Sequence, residues 1–283
     1  MPATHATTIG KTARKNTLRL LLSFLAIFLT ATFFVACGKS DDEGGGGGGG
    51  GKGSSEYKKG VASLEKKEYE DAVKSFKEAA EKGNVEAMVA YAACLGDGKG
   101  IEKDEDEAEK WLKKAADSGD AMAQALYGVA LMKDEKDAEA LDYLKKSADQ
   151  DSVLGQFVLG ATYLSKRKEA DAKKGLDYLR KAANHSLTKE KTVIDVFKDE
   201  IGLDDVFSGA SGVDIDLPED KQNVSNVMIV MSQMLLGAVY MEQKDLAEAK
   251  KWLRKAGDNG LSQADDLLPL VEMAEKESKS KKR

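Results

Sequence analysis

Nucleophilic or metal-based chemistry would have to start from Cys37, Cys94, His5 and His185, the only cysteines and histidines among 283 residues. A Ser-His-Asp or Cys-His centre needs an imidazole held within hydrogen-bond reach of its nucleophile by packing. Only His185 follows the N-terminal apolar segment, and it lies in an expected turn, where it would face solvent. Zinc needs clustered Cys and His ligands, and the chain has no such cluster. Asp214 and Asp216 lack the spacing of an EF-type calcium loop. Gly96-x-Gly98-x-Gly100 has the glycines of a phosphate cradle but no following Lys-Ser/Thr, and it joins two helical patterns. It reads as a turn. Cys94 sits in the apolar run Ala90 to Leu95 and reads as a buried thiol. The expectation is a non-enzymatic protein with no catalytic residues, no metal and no cofactor.

The N-terminus reads as an address. Lys11, Arg14, Lys15 and Arg19 precede an apolar run, Leu20 to Val35, that ends in small residues before Cys37. That order of charged, apolar and small residues makes residues 1–36 a secretory signal peptide. The run is short of the roughly 20 residues a spanning helix needs. Phe34-Val35-Ala36-Cys37 resembles a bacterial lipobox, which implies that Cys37 is lipidated (palmitate among the acyl chains) and becomes the new N-terminus. An uncleaved anchor is the alternative, and either way the chain is tethered. Residues 37–55 hold eight consecutive glycines, Gly44 to Gly51, and read as a flexible leash. Its root-mean-square reach is about 23 Å and its stretched limit roughly 60 Å. Lys39 to Glu43 resembles the surface-export signals of some lipoproteins. Gly38 fits outer-membrane rather than inner-membrane sorting in lipoproteins of this kind.

Removing the four N-terminal cations leaves 39 basic against 49 acidic residues, a net charge of about −10 after Cys37. Nucleic-acid phosphates would repel such a body, so no nucleic-acid partner is expected.

The rest of the chain repeats itself. Ser75-Phe-Lys-Glu-Ala-Ala80, Trp111-Leu-Lys-Lys-Ala-Ala116, Tyr143-Leu-Lys-Lys-Ser-Ala148, Tyr178-Leu-Arg-Lys-Ala-Ala183 and Trp252-Leu-Arg-Lys-Ala-Gly257 align without gaps. Small residues precede them at Ala72, Ala108, Ala140, Gly175 and Ala249. Small, bulky and small at i, i+4 and i+7 form one face of a helix. A second helix precedes each, carrying Gly60, Ala92, Gly128, Gly160 or Gly237 at one register. A mid-helix glycine costs roughly 1 kcal/mol relative to alanine, so its recurrence predicts two backbones in close contact. Trp111 and Trp252 belong to the core between the helices. The last two segments lie two periods apart, which leaves open either a degenerate repeat or an insertion. Asp151 and Ser186 stand where other repeats end in glycine.

This pattern resembles the Sel1-like and tetratricopeptide families of helix-turn-helix repeats. Tyr57-x-x-Gly60, Tyr69, Ala72, Phe76 and Ala79 read as a tetratricopeptide unit. Leu95-Gly-Asp-Gly-Lys-Gly-Ile101, Ala108, Trp111-Leu-Lys-Lys-Ala-Ala116 and Gly119 look Sel1-like. The resemblance implies an all-α solenoid of about five repeats: four over 56–187 and a fifth over 221–260. A capping helix and basic tail follow over 261–283, with Leu267, Leu268, Val271 and Ala274 inward, Glu272, Glu275 and Lys276 toward water, and a kink at Pro269. The leading helices would line the concave side of a right-handed superhelix. The family register places Val61, Leu64, Val89, Val129, Met132, Leu154, Phe157, Leu164, Met234 and Met241 in a groove for a protein or peptide partner. An apolar, methionine-bearing lining adapts to such a partner, although stacking could consume the same side chains. The implied function is a membrane-anchored interaction scaffold of the cell envelope. A structural subunit of an outer-membrane or pilus assembly machine is an alternative, and a cell-wall enzyme a remote one.

Residues 188–220 break the period. A helix is expected over Glu190 to Ile201 and an acidic loop after it, in which Val206, Phe207, Val213, Ile215 and Leu217 interleave with aspartates.

Overall fold

The structure is a computed structural model that describes residues 52–165, 169–188 and 223–280. The expected signal peptide, Cys37, the glycine-rich stretch read as a leash and most of the 188–220 insertion lie outside the described residues. The described residues form eleven helices. In order these are α1 (Ser54–Glu65), α2 (Tyr69–Glu81), α3 (Val85–Asp97), α4 (Glu105–Asp117), α5 (Ala121–Lys133) and α6 (Asp137–Asp149). Then come α7 (Val153–Ser165), α8 (Glu169–Asn184), α9 (Val224–Gln243), α10 (Leu246–Asp258) and α11 (Ser262–Ser280). Successive pairs form five antiparallel hairpins, and α11 packs on α10 at the end.

The two helices of a hairpin are built differently. The trailing helices α2, α4, α6, α8 and α10 are amphipathic. Their small-bulky-small faces are buried, with Phe76, Leu144, Leu179 and Leu253 fully so. Truncating such a leucine to alanine should cost about 2–5 kcal/mol. Three of the leading helices are buried all round: residues 87–96 of α3, 123–131 of α5 and 154–163 of α7 are buried without a break. Such a helix is stable only between neighbours on every side, so no hairpin can be covered alone.

The recurring small residue does what its register predicts. A methyl group at Gly60, Gly128, Gly160 or Gly237 would come within 2.6 to 2.8 Å of Phe76, Leu144, Leu179 or Leu253 respectively. In the fourth hairpin two glycines meet, and a Cβ on Gly175 would lie 2.7 Å from the Gly160 carbonyl oxygen. Backbone cannot move aside as a side chain can.

Polar residues set the helix ends. Asn84, Asp120 and Asn223 accept from the amides of Ala87 (2.7 Å), Ala123 (2.6 Å) and Asn226 (2.8 Å), and Ser152 accepts from Gly155 (3.2 Å). Each satisfies an orphan amide of a leading helix. Asp151 takes the left-handed backbone (φ 64°) that Gly83 and Gly119 take at the equivalent turns, so the missing glycine does not change that turn.

Leading helices of neighbouring hairpins touch one another, α5 with α7 and α7 with α9, so they form the inner row of the stack. Crucially, α9 packs directly on α8 and α7. The doubled spacing is therefore an insertion and not a degenerate repeat. Its two ends are fastened together. Asn223 Nδ2 and Asn226 Nδ2 donate to the Thr188 carbonyl at 2.9 and 2.7 Å, and the Thr188 amide donates to Asn226 Oδ1 at 2.9 Å. Thr188 and Asn223, the described residues on either side of 189–222, are thus held together.

At the cap, Val271 is fully buried while Leu267, Leu268 and Ala274 are half-buried. Glu272 and Glu275 do not simply face water: Lys250 Nζ lies 2.7 Å from Glu272 and 3.9 Å from Glu275. Pro269 lies inside the helix.

Candidate partner-binding face

The ten groove residues separate into two groups. Leu64, Val89, Val129, Leu154, Phe157 and Met234 are buried in the packed array. Close stacking of neighbouring hairpins covers them. Val61, Met132, Leu164 and Met241 are half-buried and pack against the core. Of these, Met132, Leu164 and Met241 occupy one register, four residues after Gly128, Gly160 and Gly237, in the last turns of α5, α7 and α9. The Thr162 hydroxyl lies 3.7 Å from Met132 Sδ, so α5 and α7 touch at that repeat boundary, while a Cβ on Gly175 of α8 would lie 2.9 Å from Leu164 Cγ.

Two turns before the stripe, on the same leading helices, runs a set of amide clamps that sequence reasoning missed. Gln124 and Gln233 stand four residues before Gly128 and Gly237 and are buried. Gln124 Nε2 donates to the Ala116 carbonyl of the preceding hairpin (3.3 Å), and its Oε1 accepts from Gln150 at the end of its own hairpin (2.8 Å). Gln233 does the same with the Ala183 carbonyl (3.1 Å) and Asn259 (2.9 Å). A side-chain amide carries a donor and an acceptor on separate atoms, which lets it perform both duties at once. The equivalent residues elsewhere are Glu56, which pairs with Lys82 at 2.7 Å, and Met88. The recurrence of glutamine at a fixed offset from the small residue was the available signal.

His185 belongs to the same system, which corrects the expectation that it faces solvent. Its side chain is 24% exposed, and Nε2 lies 3.1 Å from Gln156 Oε1 and 3.5 Å from Asp151 Oδ1. Gln156, in the clamp register and fully buried, donates through Nε2 to Asp151 at 2.7 Å. The imidazole closes the fourth hairpin as Gln150 and Asn259 close the third and fifth.

The outer row carries the charge. Lys114, Lys146, Lys181 and Lys255 lie over the rings of Trp111, Tyr143, Tyr178 and Trp252, at 4.4, 4.8, 5.2 and 5.4 Å from the ring centres. Trp252 is buried and Trp111 half-buried, edge-on to Tyr91 at 5.6 Å. Tyr143 donates to Asp117 at 2.6 Å across the second and third hairpins, and Lys113 approaches the same carboxylate at 2.7 Å. Lys113, then the Tyr143 hydroxyl, hold the Asp117 carboxyl below the usual carboxylate range. Burial pushes the Asp120 carboxyl up, against the pull of the Ala123 and Met122 amides. Burial also lowers the Lys255 ammonium, with Lys251 adding to the effect.

Cys94 is a buried thiol, as its apolar setting predicts. Gly98 and Gly100 have left-handed φ values of 72° and 66° in the turn between α3 and α4. A Cβ on Gly100 would lie 2.4 Å from the Tyr69 carbonyl carbon, so the turn is pressed onto α2. Among the described residues no group of His, Cys, Asp and Glu is placed to hold a metal ion, and no helix is long and apolar enough to cross a membrane.

Comparison with known families matches the Sel1 repeat over residues 85–120, 121–152, 153–187 and 230–261. These segments coincide with the α3–α4, α5–α6 and α7–α8 hairpins and with most of α9–α10. Among solved structures, the chain is similar to a Sel1 repeat protein from Oxalobacter formigenes, at 24% identity over 75% of this chain and 86% of that one, with a TM-score of 0.43. It is also similar to c5321, described as a protective antigen of uropathogenic Escherichia coli with an SLR fold. That likeness has 19% identity over 78% of this chain, with a TM-score of 0.43, and the chain spans about half (49%) of that protein's length. No curated protein sequence matches the chain.

Proposed function

We propose that this chain, which carries four Sel1 repeats within a longer stack of helical hairpins, is a lipid-tethered scaffold of the cell envelope that holds a protein partner along the inner face of the stack. Sel1 repeats generally mediate protein–protein interactions, and proteins built from them are typically non-catalytic. The observation that carries the reading is that Met132 and Met241, at one register on two leading helices, stay half-buried. Flexible, polarisable side chains in line on a rigid array suit a peptide or helix whose apolar residues recur along its length. The array supplies rigidity at low entropic cost, because its register is already fixed by packing.

The tether rests on the sequence. Lipidation of Cys37 would leave the glycine-rich leash to hold the array off the bilayer. Metabolic labelling with an alkyne palmitate should mark the chain and lose the mark in Cys37→Ser. Labelling that persists in Cys37→Ser would contradict that site.

The partner face is tested by placing a photo-crosslinking residue at Met132, at Met241 and, on the outer row, at Lys145. The same adduct at Met132 and Met241, with none at Lys145, is the expected result. Equal adducts at Lys145, or none at Met132 and Met241 with helicity intact, would overturn the inner-face reading.

A further inference from the structure

Helix α11 enters the array as a leading helix does. The Leu261 amide donates to the Ala256 carbonyl at 3.0 Å, as the Asn84 amide donates to Ala79 at 3.1 Å. Gly260 and Gly83 share left-handed φ values of 96° and 94° at these turns. Ala264 is fully buried, as are Ala87 and Ala123 at the same distance beyond their turn glycines. In this register Pro269 stands where α5 has Gly128, and Leu270 and Met273 stand where it has Val129 and Met132. The positions that serve stacking have changed character. Exposed Asp265 replaces the Gln124 clamp, and Glu272 replaces the fully buried Leu131 and reaches Lys250 at 2.7 Å. The Pro269 ring occupies the point where Gly128 admits Leu144. Among the described residues no helix follows α11. The groove register, by contrast, keeps its apolar character. Leu270 is 46% and Met273 60% exposed, the exposed large hydrophobics among the described residues. Stacking covers Val129 and accounts for it; the same register on α11 is bare, so packing does not account for Leu270 and Met273.

We propose that Leu270 and Met273 anchor an amphipathic protein segment whose apolar residues are flanked by lysine or arginine. The proposal rests on the inner-face reading and names the chemistry of its partner. At 3.6 residues per turn Asp266, Leu270, Met273 and Glu277 share one stripe of α11, and all four are exposed. The apolar pair therefore lies between two carboxylates, one turn away on either side. Lys276 and Lys279 stand off this stripe, on the side of Asp265. Met241 is likewise followed by an exposed acid, Glu242. Apolar contact at the centre supplies attraction, and cationic flanks meeting Asp266 and Glu277 set the orientation and reject acidic segments. A contact of this size belongs with transient complexes, which bury less than about 1,200 Å².

The test selects peptides from a phage-displayed random library on the full chain and measures an enriched peptide, labelled with fluorescein, by anisotropy. The enriched peptides should carry apolar residues flanked by lysine or arginine. Leu270→Asp with Met273→Asp should weaken binding by about tenfold or more. Asp266→Lys with Glu277→Lys should weaken it by roughly threefold to tenfold. All four side chains are exposed, so helicity by circular dichroism should not change. Peptides held by the apolar run Leu20 to Val35 would bind these variants as they bind the parent chain, so that run cannot imitate the expected result. No enrichment of the cation-flanked class, or binding that survives Leu270→Asp with Met273→Asp, overturns the proposal. Binding that survives there but is lost in Met132→Asp with Met241→Asp removes α11 from the partner face and leaves the inner-face reading standing. Binding that survives both pairs overturns both. Sedimentation showing that the chain self-associates through Leu270 and Met273 also overturns the proposal, in favour of a second copy.

Discussion

Two junctions of the array solve the same packing problem under opposite conditions. Between the first and second hairpins the chain spans only Lys82 to Asn84, and Met88 fills the clamp position. Between the fourth and fifth hairpins the connection runs over residues 185–223. There Gln233 and Lys255 both donate to the Ala183 carbonyl, at 3.1 and 2.9 Å, Arg180 bonds Tyr240, and Asn226 fastens Thr188. Closing a loop of about forty residues rather than three costs roughly 2 kcal/mol more. Each added hydrogen bond contributes about 0.5–1.5 kcal/mol net, so three or four of them offset that cost. The amide clamp itself is not reserved for the long connection, since Gln124 makes it across a short turn. The additional bonds of Arg180, Lys255 and Asn226 are what distinguish the interrupted junction. At the first junction Met88 fills the clamp position with apolar contact; at the interrupted one directional bonds hold the register.

The largest expected effect comes from turning the clamp into the residue that the first hairpin uses. Gln233→Glu keeps the acceptor and loses the donor, burying a carboxylate against the Ala183 carbonyl. It should cost about 3 kcal/mol in urea unfolding. The reverse change, Glu56→Gln, breaks an ion pair whose side chains are 27% and 50% exposed and should cost less than about 1 kcal/mol. Equal costs would erase the distinction between buried amide and exposed ion pair. Gly175→Ala, which drives a methyl into the Gly160 backbone beneath the interrupted junction, should cost about 1–3 kcal/mol. Replacing residues 189–222 with a six-residue Gly-Ser segment should raise stability by roughly 1.5 kcal/mol through cheaper closure, with helicity kept. A loss of stability there would mean that the inserted residues help to cover the array. Opening the clasp with Asn226→Ala should cost about 1 kcal/mol in the native chain and less in the shortened one.

The smallest effect is a pH dependence. The Asp117 carboxyl is lowered by Lys113 and by Tyr143. Its contribution to stability is therefore full above the ordinary aspartate value of about 3.9 and fades as pH falls through the lowered folded value. Tyr143→Phe removes one of the two partners and should make the acid limb of the stability profile shallower. An unchanged limb would show that the pairing contributes nothing, as many exposed ion pairs do.

The stacking logic was legible in the sequence because it is written at helical spacing. Ala72, Phe76 and Ala79, and their counterparts in four later segments, mark the buried face, and Gly128 and Gly237 mark close backbone approach. The polar clamps were not legible in that way. Gln124 reaches Ala116 and Gln150 through the rotation of one hairpin against the next, which spacing along a single helix does not encode. The same rotation decides whether a groove residue stays open. Phe157 and Met132 share the inner row, yet Phe157 is covered and Met132 half-exposed at the end of its helix. His185 was placed toward solvent because turns usually face water; here the turn folds back over Gln156. Asp151 shows the converse, with a left-handed turn kept without its glycine.

Everything rests on the α7–α8 and α9–α10 hairpins stacking directly on one another, so that α7 and α9 belong to one inner row. Native-state amide hydrogen exchange, followed helix by helix, measures this directly. The backbone amides of α9 and α10 should open together with those of α7 and α8, at one free energy, and Gln233→Glu should lower all four alike. If α9 to α11 instead opened as a separate unit, at a free energy indifferent to changes in α8, the stack would end at Asn184 and the continuous face would not exist.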